Sequence, residues 1–241
     1  MPQTKRSPAK YQPKGVTILH EDKEIIVVEK PSGLLTIGAE RDKSRTLHKT
    51  LNEYVRKGDL RSKNRIYIVH RLDRETSGIL ILAKSETAKN FLQRNWHETE
   101  KRYLAVVYGL LTPKTGTISS YLAENSAFTV YSTPYQELGK LSHTTYTVLK
   151  ESNGLSLLEI HLLTGRKHQI RVHMSEKGHP IVGDRKYGKR NEVLATLALH
   201  AKSISFIHPV SSERLTFETG TPYFIDRLVG NIDGGELCNV S

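Results

Sequence analysis

His70-Arg71-Leu72-Asp73-Arg74-Glu75-Thr76-Ser77-Gly78 is the stretch on which the fold turns. It sets one carboxylate, Asp73, between two arginines and then turns the chain at a glycine. Ile66-Tyr67-Ile68-Val69 precedes it and Ile79-Leu80-Ile81-Leu82-Ala83 follows it. Both flanks read as buried strands, because short β-branched and aliphatic runs suit a covered sheet. An acid held in a polar loop between two core strands stands on a rigid platform, where catalytic groups are often placed. The same residues also suit a structural turn in which Asp73 pairs with its neighbours.

Outward from this loop, the pattern alternates strands and short helices. Strands are expected at 16–19 and 24–30, closed by a Pro31–Gly33 turn. Thr46 reads as an N-cap for a helix with Leu47, Leu51, Tyr54 and Val55 on one face, ended by Gly58. Ser85 caps a second helix whose stripe Ala88, Phe91, Leu92 and Trp96 is core packing. Further strands are expected at 103–109, 143–150, 155–163, 199–206 and 214–218, the middle pair joined through Ser152-Asn153-Gly154. Residues 111–142 read as loop, and a third helix is expected from near Gly165 to Gly178. Few parallel βαβ units are evident, so the class is α+β, with a mixed, largely antiparallel sheet and surrounding helices.

Composition places the chain among ordinary globular proteins: 241 residues, 37% hydrophobic and 25% charged. That suits one catalytic domain, expected over 16–229, between a basic mobile tail at 1–15 and a disordered tail at 230–241. No apolar run approaches the roughly 20 residues that span a bilayer. No secretory signal is expected, and a single cysteine, Cys238, fits a reducing cytoplasm.

Charge narrows the partner. The formal net charge is +11. Residues 1–14 hold Lys5, Arg6, Lys10 and Lys14 with no acid, and residues 165–190 hold eight basic and two acidic residues. Positive charge clustered in this way marks a polyanion binder, since each neutralised phosphate releases condensed counterions. No amphipathic basic helix or lipidation motif supports a membrane. No Cys-x-x-Cys, helical His pair at four-residue spacing, phosphate loop or dinucleotide fingerprint is present, so neither metal nor cofactor is expected.

Four collinear segments resemble the RluA family of RNA pseudouridine synthases. The loop at 70–78 resembles its central motif. Glu21 to Leu34, ending Lys30-Pro31-Ser32-Gly33-Leu34, resembles its opening strand and Lys-Pro-x-Gly turn. Lys101-Arg102-Tyr103-Leu104-Ala105-Val106-Val107-Tyr108-Gly109 resembles the strand carrying its active-site tyrosine. Leu163-Thr164-Gly165-Arg166-Lys167-His168-Gln169-Ile170-Arg171-Val172-His173-Met174, running on to Gly183-Asp184, resembles its last motif. Together the segments span roughly residues 16–220.

The resemblance implies a sheet bent around a central cleft, divided into two subdomains. It implies an isomerase that converts uridines of rRNA, tRNA or both to pseudouridine. Asp73 would be the essential carboxylate and Arg171 the cation beside it. Tyr103 would stack on the target base. Arg71 lies two residues before Asp73 and, on an extended backbone, would share its face; there it would bind phosphate or fill the space left by an extruded uridine. Arg166, Lys167 and His168, at a helix start, are candidate phosphate ligands through side chains and free amides. A monomer with RNA as its partner, and no obligate protein partner, is expected. Many members of the family carry a small helical RNA-binding domain ahead of the catalytic one, which fifteen tail residues cannot form. The alternative is a non-catalytic RNA-binding protein retaining the fold, which has no need of Asp73, Tyr103 and Arg171 together. A glycosidase-like hydrolase would require a second flanking carboxylate, and Glu75 is badly placed for it.

Overall fold

The computed structural model describes residues 12–38, 45–59, 61–188 and 196–230. The expected terminal tails fall almost wholly outside these residues. The chain divides into two compact units, residues 1–101 with 203–219, and residues 102–202 with 220–241.

In the first unit, β1 (Thr17–Glu21) and β2 (Ile25–Lys30) form an antiparallel hairpin. Its turn is held by Asp22, whose Oδ1 accepts from the amides of Glu24 and Ile25 at 2.7 and 2.8 Å. β4 (Ser77–Ala83) runs between β2 and the two-residue β3 (Tyr67–Ile68), antiparallel to both. Every residue of β4 is buried, which is why its sequence is a continuous apolar run and not an alternation. Ile25 and Val27 of β2 and Ile79, Ile81 and Ala83 of β4 pack in one cluster with Ala88 and Leu92. These last two lie on α2 (Glu86–Arg94), capped by Ser85, which accepts from the Ala88 amide at 3.1 Å. α1 (Leu47–Arg56) begins at Thr46, whose hydroxyl accepts from Lys49 N, and ends at a left-handed Lys57.

In the second unit the strand order is β5 (Glu100–Tyr108), β9 (Leu155–Leu162), β8 (Lys140–Ser152), β6 (Thr115–Glu124), β7 (Val130–Thr133), all antiparallel. β8 and β9 meet through Asn153 and Gly154, both at positive φ, as a tight hairpin requires. α3 (Gln169–Glu176) and α4 (Tyr223–Val229) complete this unit. β10 (Leu199–Ile207) starts in the second unit and finishes in the first, where it pairs with β11 (Arg214–Glu218). The class is α+β as expected; the ladders described above are antiparallel, and among the described residues Leu35 and Thr46 form a parallel bridge. Among the described residues no helix is long and apolar enough to cross a membrane.

The structure corrects several local expectations. Residues 111–142 are not loop: β6 and β7 occupy much of them. β6 (TGTISSYLAE) is poor in aliphatics and is held by pairing with β8, where Thr117 bonds Thr145 at 3.1 Å and Ser119 bonds His143 at 2.8 Å. Trp96 is not on α2; the helix stops at Asn95 and Trp96 opens a 3-10 turn, Trp96–Glu98, still packed on the same cluster. α3 starts at Gln169, not near Gly165, because the Gln169 side chain takes the Arg166 amide and the Thr164 hydroxyl, folding 164–168 into a turn.

Candidate active site

Asp73 sits half-buried in the loop between β3 and β4, and its neighbours alternate: Arg71 exposed, Leu72 buried. This puts Arg71 and Asp73 on the outward side together. The loop is clamped to the segment that follows β2. The Thr36 hydroxyl donates to the Leu72 carbonyl at 2.8 Å, and the Gly33 amide to the Arg74 carbonyl at 2.8 Å. The Ser32 hydroxyl reaches the Glu75 carbonyl at 2.6 Å, and Arg74 Nε returns a bond to the Gly33 carbonyl at 3.1 Å. Gly33 adopts φ 85°, which a side chain rarely tolerates, and that lets the turn close. Two motifs forty residues apart are therefore one piece of structure.

Lys30 lies beneath this piece with no exposed surface. Its ammonium donates to three carbonyls: Leu34 at 2.8 Å, Pro31 at 3.0 Å and Arg74 at 3.2 Å. Burial pushes its pKa down to about 8, while the carboxylates of Asp73 and Glu75 work the other way. A charge this deep is tolerable only because all three donors are met. Sequence reasoning gave Lys30 no role; the Lys-Pro-Ser-Gly pattern was the available signal.

His70 anchors the other end. Its Nε2 accepts from the Ile81 amide at 3.0 Å, so the ring carries its proton on Nδ1. The ring packs on Trp96, centroids 4.5 Å apart. Burial, helped by Lys101, holds its pKa down to about 3. At neutral pH His70 is a neutral acceptor and not a proton donor for chemistry.

The other expected residues lie in the second unit. Tyr103 is on β5 opposite Ile160 and is buried. Arg171 is on α3 and makes a bidentate pair with Asp184, Nε to Oδ2 at 2.8 Å and Nη2 to Oδ1 at 2.9 Å. Its guanidinium also lies 5.2 Å from the centre of the Tyr187 ring. Asp184 accepts two more bonds, from the amides of Lys186 and Tyr187. Burial opposes its charge, but Arg171 and these amides outweigh it and hold the carboxyl below the usual range. Gly183 makes this placement possible: at φ 80°, a Cβ there would lie 2.0 Å from the Thr196 carbonyl oxygen. Asp184 stood in the quoted motif without an assigned partner.

Of the expected phosphate ligands, Arg166 has its amide taken by Gln169 Oε1 at 3.0 Å. The His168 ring is held by the Tyr187 hydroxyl at 2.8 Å, and His168 itself is left-handed at φ 55°. The free-amide part of that expectation is therefore corrected at Arg166. Lys167 pairs with Glu124 and lies 5.4 Å from the Phe128 ring centre. Among the described residues, no group of three or more His, Cys, Asp or Glu is arranged to hold a metal ion.

The family model described as RNA pseudouridylate synthase matches residues 24–176. An Aquifex aeolicus protein described as an uncharacterized RNA pseudouridine synthase is 37% identical over 227 residues, covering 86% of this chain and 70% of that one. Ribosomal large subunit pseudouridine synthase C of Buchnera aphidicola is 36% identical over 213 residues, covering 82% of this chain and 65% of that one. Among solved structures, human RNA pseudouridylate synthase domain containing 1 matches with a TM-score of 0.74 at 28% identity, over 93% of this chain and 91% of that one.

Proposed function

The chain belongs to the RluA family of RNA pseudouridine synthases, and from that premise we propose that it isomerises specific uridines of rRNA or tRNA with Asp73 as the catalytic carboxylate. The name of the Buchnera relative favours large-subunit rRNA as the first RNA to examine. The reaction breaks the N1–C1′ bond, turns the uracil in place, and joins C5 to C1′. C5 loses a proton and N1 gains one, so no oxidant, reductant or energy source is consumed. Asp73 acts at the ribose, as nucleophile at C1′ or as base at the 2′ position.

The observation that carries this reading is the clamp on either side of Asp73. Carbonyls 72, 74 and 75 are all held by residues 30–36, so the carboxylate is presented by a fixed backbone. A positioned carboxylate is worth far more than a mobile one, because the orientation is set before substrate arrives.

Arg171 is the cation proposed to act together with Asp73. The bidentate pair with Asp184 fixes the plane of the guanidinium. Asp184 thus orients Arg171. Tyr103 is proposed to stack on the target base with its hydroxyl near C5, and Arg71 to contact phosphate or occupy the space of the extruded uridine. The protein works as a cytoplasmic monomer on RNA alone.

The test is pseudouridine mapping in total RNA from cells with the wild type, with none, and with Asp73→Asn. The amide is isosteric but is neither nucleophile nor base, so the enzyme-dependent site should vanish while the protein melts normally. A modified site that persists with Asp73→Asn, deamidation excluded, removes Asp73 from the chemistry.

A further inference from the structure

Phe128 stands in the turn between β6 and β7 with 69% of its surface exposed. The turn is tightly built. Asn125 Oδ1 accepts from the amides of Ala127 and Thr129, both at 3.0 Å, and the Phe128 amide donates to the Asn125 carbonyl at 2.9 Å. This fixes Phe128 at φ 56°, a left-handed conformation that suits Gly or Asn and costs a bulky residue on the order of 1 kcal/mol or more. Folding alone favours glycine here. Exposure of the ring adds no core burial to offset the strain, so core packing does not account for the residue.

Its surroundings point to what does. Lys167 places its ammonium 5.4 Å from the ring centre. Lys186 donates to the Phe128 carbonyl at 2.6 Å. An exposed flat ring with one lysine near its face and a second bonded to its own carbonyl is matched to a flat group that carries negative charge. A nucleotide in a single strand has that form: the base stacks on the ring and its phosphates meet the cations. An acidic peptide would use the lysines but not the ring.

We propose that Phe128 is a stacking platform for an unpaired base of the RNA substrate, with Lys167 and Lys186 at the flanking phosphates. This rests on the proposed action on RNA and adds a subsite on the second unit that needs no separate binding domain. Lys167 exchanges its present partner Glu124 for phosphate, so binding carries a local electrostatic cost that a fully neutralising polyanion repays.

Two probes of equal charge separate stacking from phosphate attraction: labelled twelve-nucleotide oligouridine, and the same length of abasic ribose phosphate. Stacking contributes about 1–3 kcal/mol per base, roughly 5- to 150-fold in affinity. Phe128→Ala and Phe128→Gly should lose oligouridine affinity within that range and change abasic affinity less than about two-fold. Phe128→Tyr keeps the ring and should bind oligouridine like the wild type. Phe128→Gly also relieves the left-handed strain, so it should melt no lower than wild type, and its loss is not a folding defect. Equal losses on both probes, no loss in either truncation, or a loss in Phe128→Tyr would each overturn the stacking role. Pseudouridine mapping with the wild type decides the underlying reading separately. No enzyme-dependent pseudouridine sinks the isomerase on RNA whatever the probes show; normal modification with no probe contrast sinks this subsite alone.

Discussion

The ammonium of Lys30 donates to the carbonyl of Arg74, forty-four residues later in the chain and one residue after Asp73, at 3.2 Å. A buried charge of one motif thus holds the backbone that presents the carboxylate of another.

Lys30→Met should remove the charge, keep the volume and leave three carbonyls without their donor. We expect a loss of about 3–5 kcal/mol at pH 7 and a mispositioned Asp73. The pH dependence has a definite sign. The folded pKa, about 8, lies below the ordinary 10.5, so between them the unfolded chain binds the extra proton. Wild-type stability should therefore rise, relative to Lys30→Met, as pH climbs from about 8 to 10.5, by up to roughly 3 kcal/mol. Urea titrations of both proteins across that range measure it; a constant difference would show that Lys30 is not buried as a cation.

Acid should act through two histidines. Burial holds His70 down to about 3 and His200, which is fully buried, down to about 4. Each is neutral when folded, and the unfolded chain takes a proton first as pH falls below 6.5. Each therefore steepens the loss of stability below pH 6.5, and the extra slope ends near its own folded pKa, by up to about 1.4 kcal/mol per pH unit per histidine. His70→Gln keeps an acceptor for the Ile81 amide but does not titrate. Its stability should fall less steeply than wild type between pH 6.5 and 4, and parallel curves would mean that His70 titrates normally.

How far the sequence showed these things follows from where each partner lies. β2 and β4 were legible because burial on both faces writes continuous apolar runs, and α1 and α2 because Thr46 and Ser85 cap them locally. β6 and β7 were not, since their polar residues are held by cross-strand hydroxyl pairs that no local pattern records. That Asp73 lies in a loop between two strands was legible from the apolar runs on either side of it. The Lys30 cage was hidden because its acceptors are main-chain carbonyls, which every residue has. The Arg171–Asp184 pair joins residues thirteen apart through the Gly183 turn, a register that follows no helical or strand period.

Gly183→Ala should be among the most damaging single methyl additions in the chain. The new carbon would meet the Thr196 carbonyl at 2.0 Å, and the residue would keep a left-handed φ. We expect more than about 4 kcal/mol of destabilisation, measured by thermal melting. Asp184→Asn is milder in shape but weakens a buried bidentate pair, and about 3 kcal/mol is expected. A Gly183→Ala protein that melts like wild type would mean that 182–184 and 196–198 are not packed as described.

Tyr103 separates binding from chemistry. Its ring is buried on β5 with only 9% of the residue exposed, so Tyr103→Phe should fold and retain RNA affinity within about two-fold, the ring being unchanged. If the hydroxyl handles the proton at C5, single-turnover pseudouridine formation should drop on the order of 100-fold or more, a usual scale for a lost acid–base group. Arg171→Lys should also be severe, for another reason: an ammonium cannot make the fork-shaped contact with Asp184. The two variants differ in stability. Tyr103→Phe should melt within about 1 kcal/mol of wild type, whereas Arg171→Lys leaves Asp184 poorly paired and should fall by about 1–3 kcal/mol. A Tyr103→Phe enzyme at the wild-type rate would leave the ring with a packing and stacking role only.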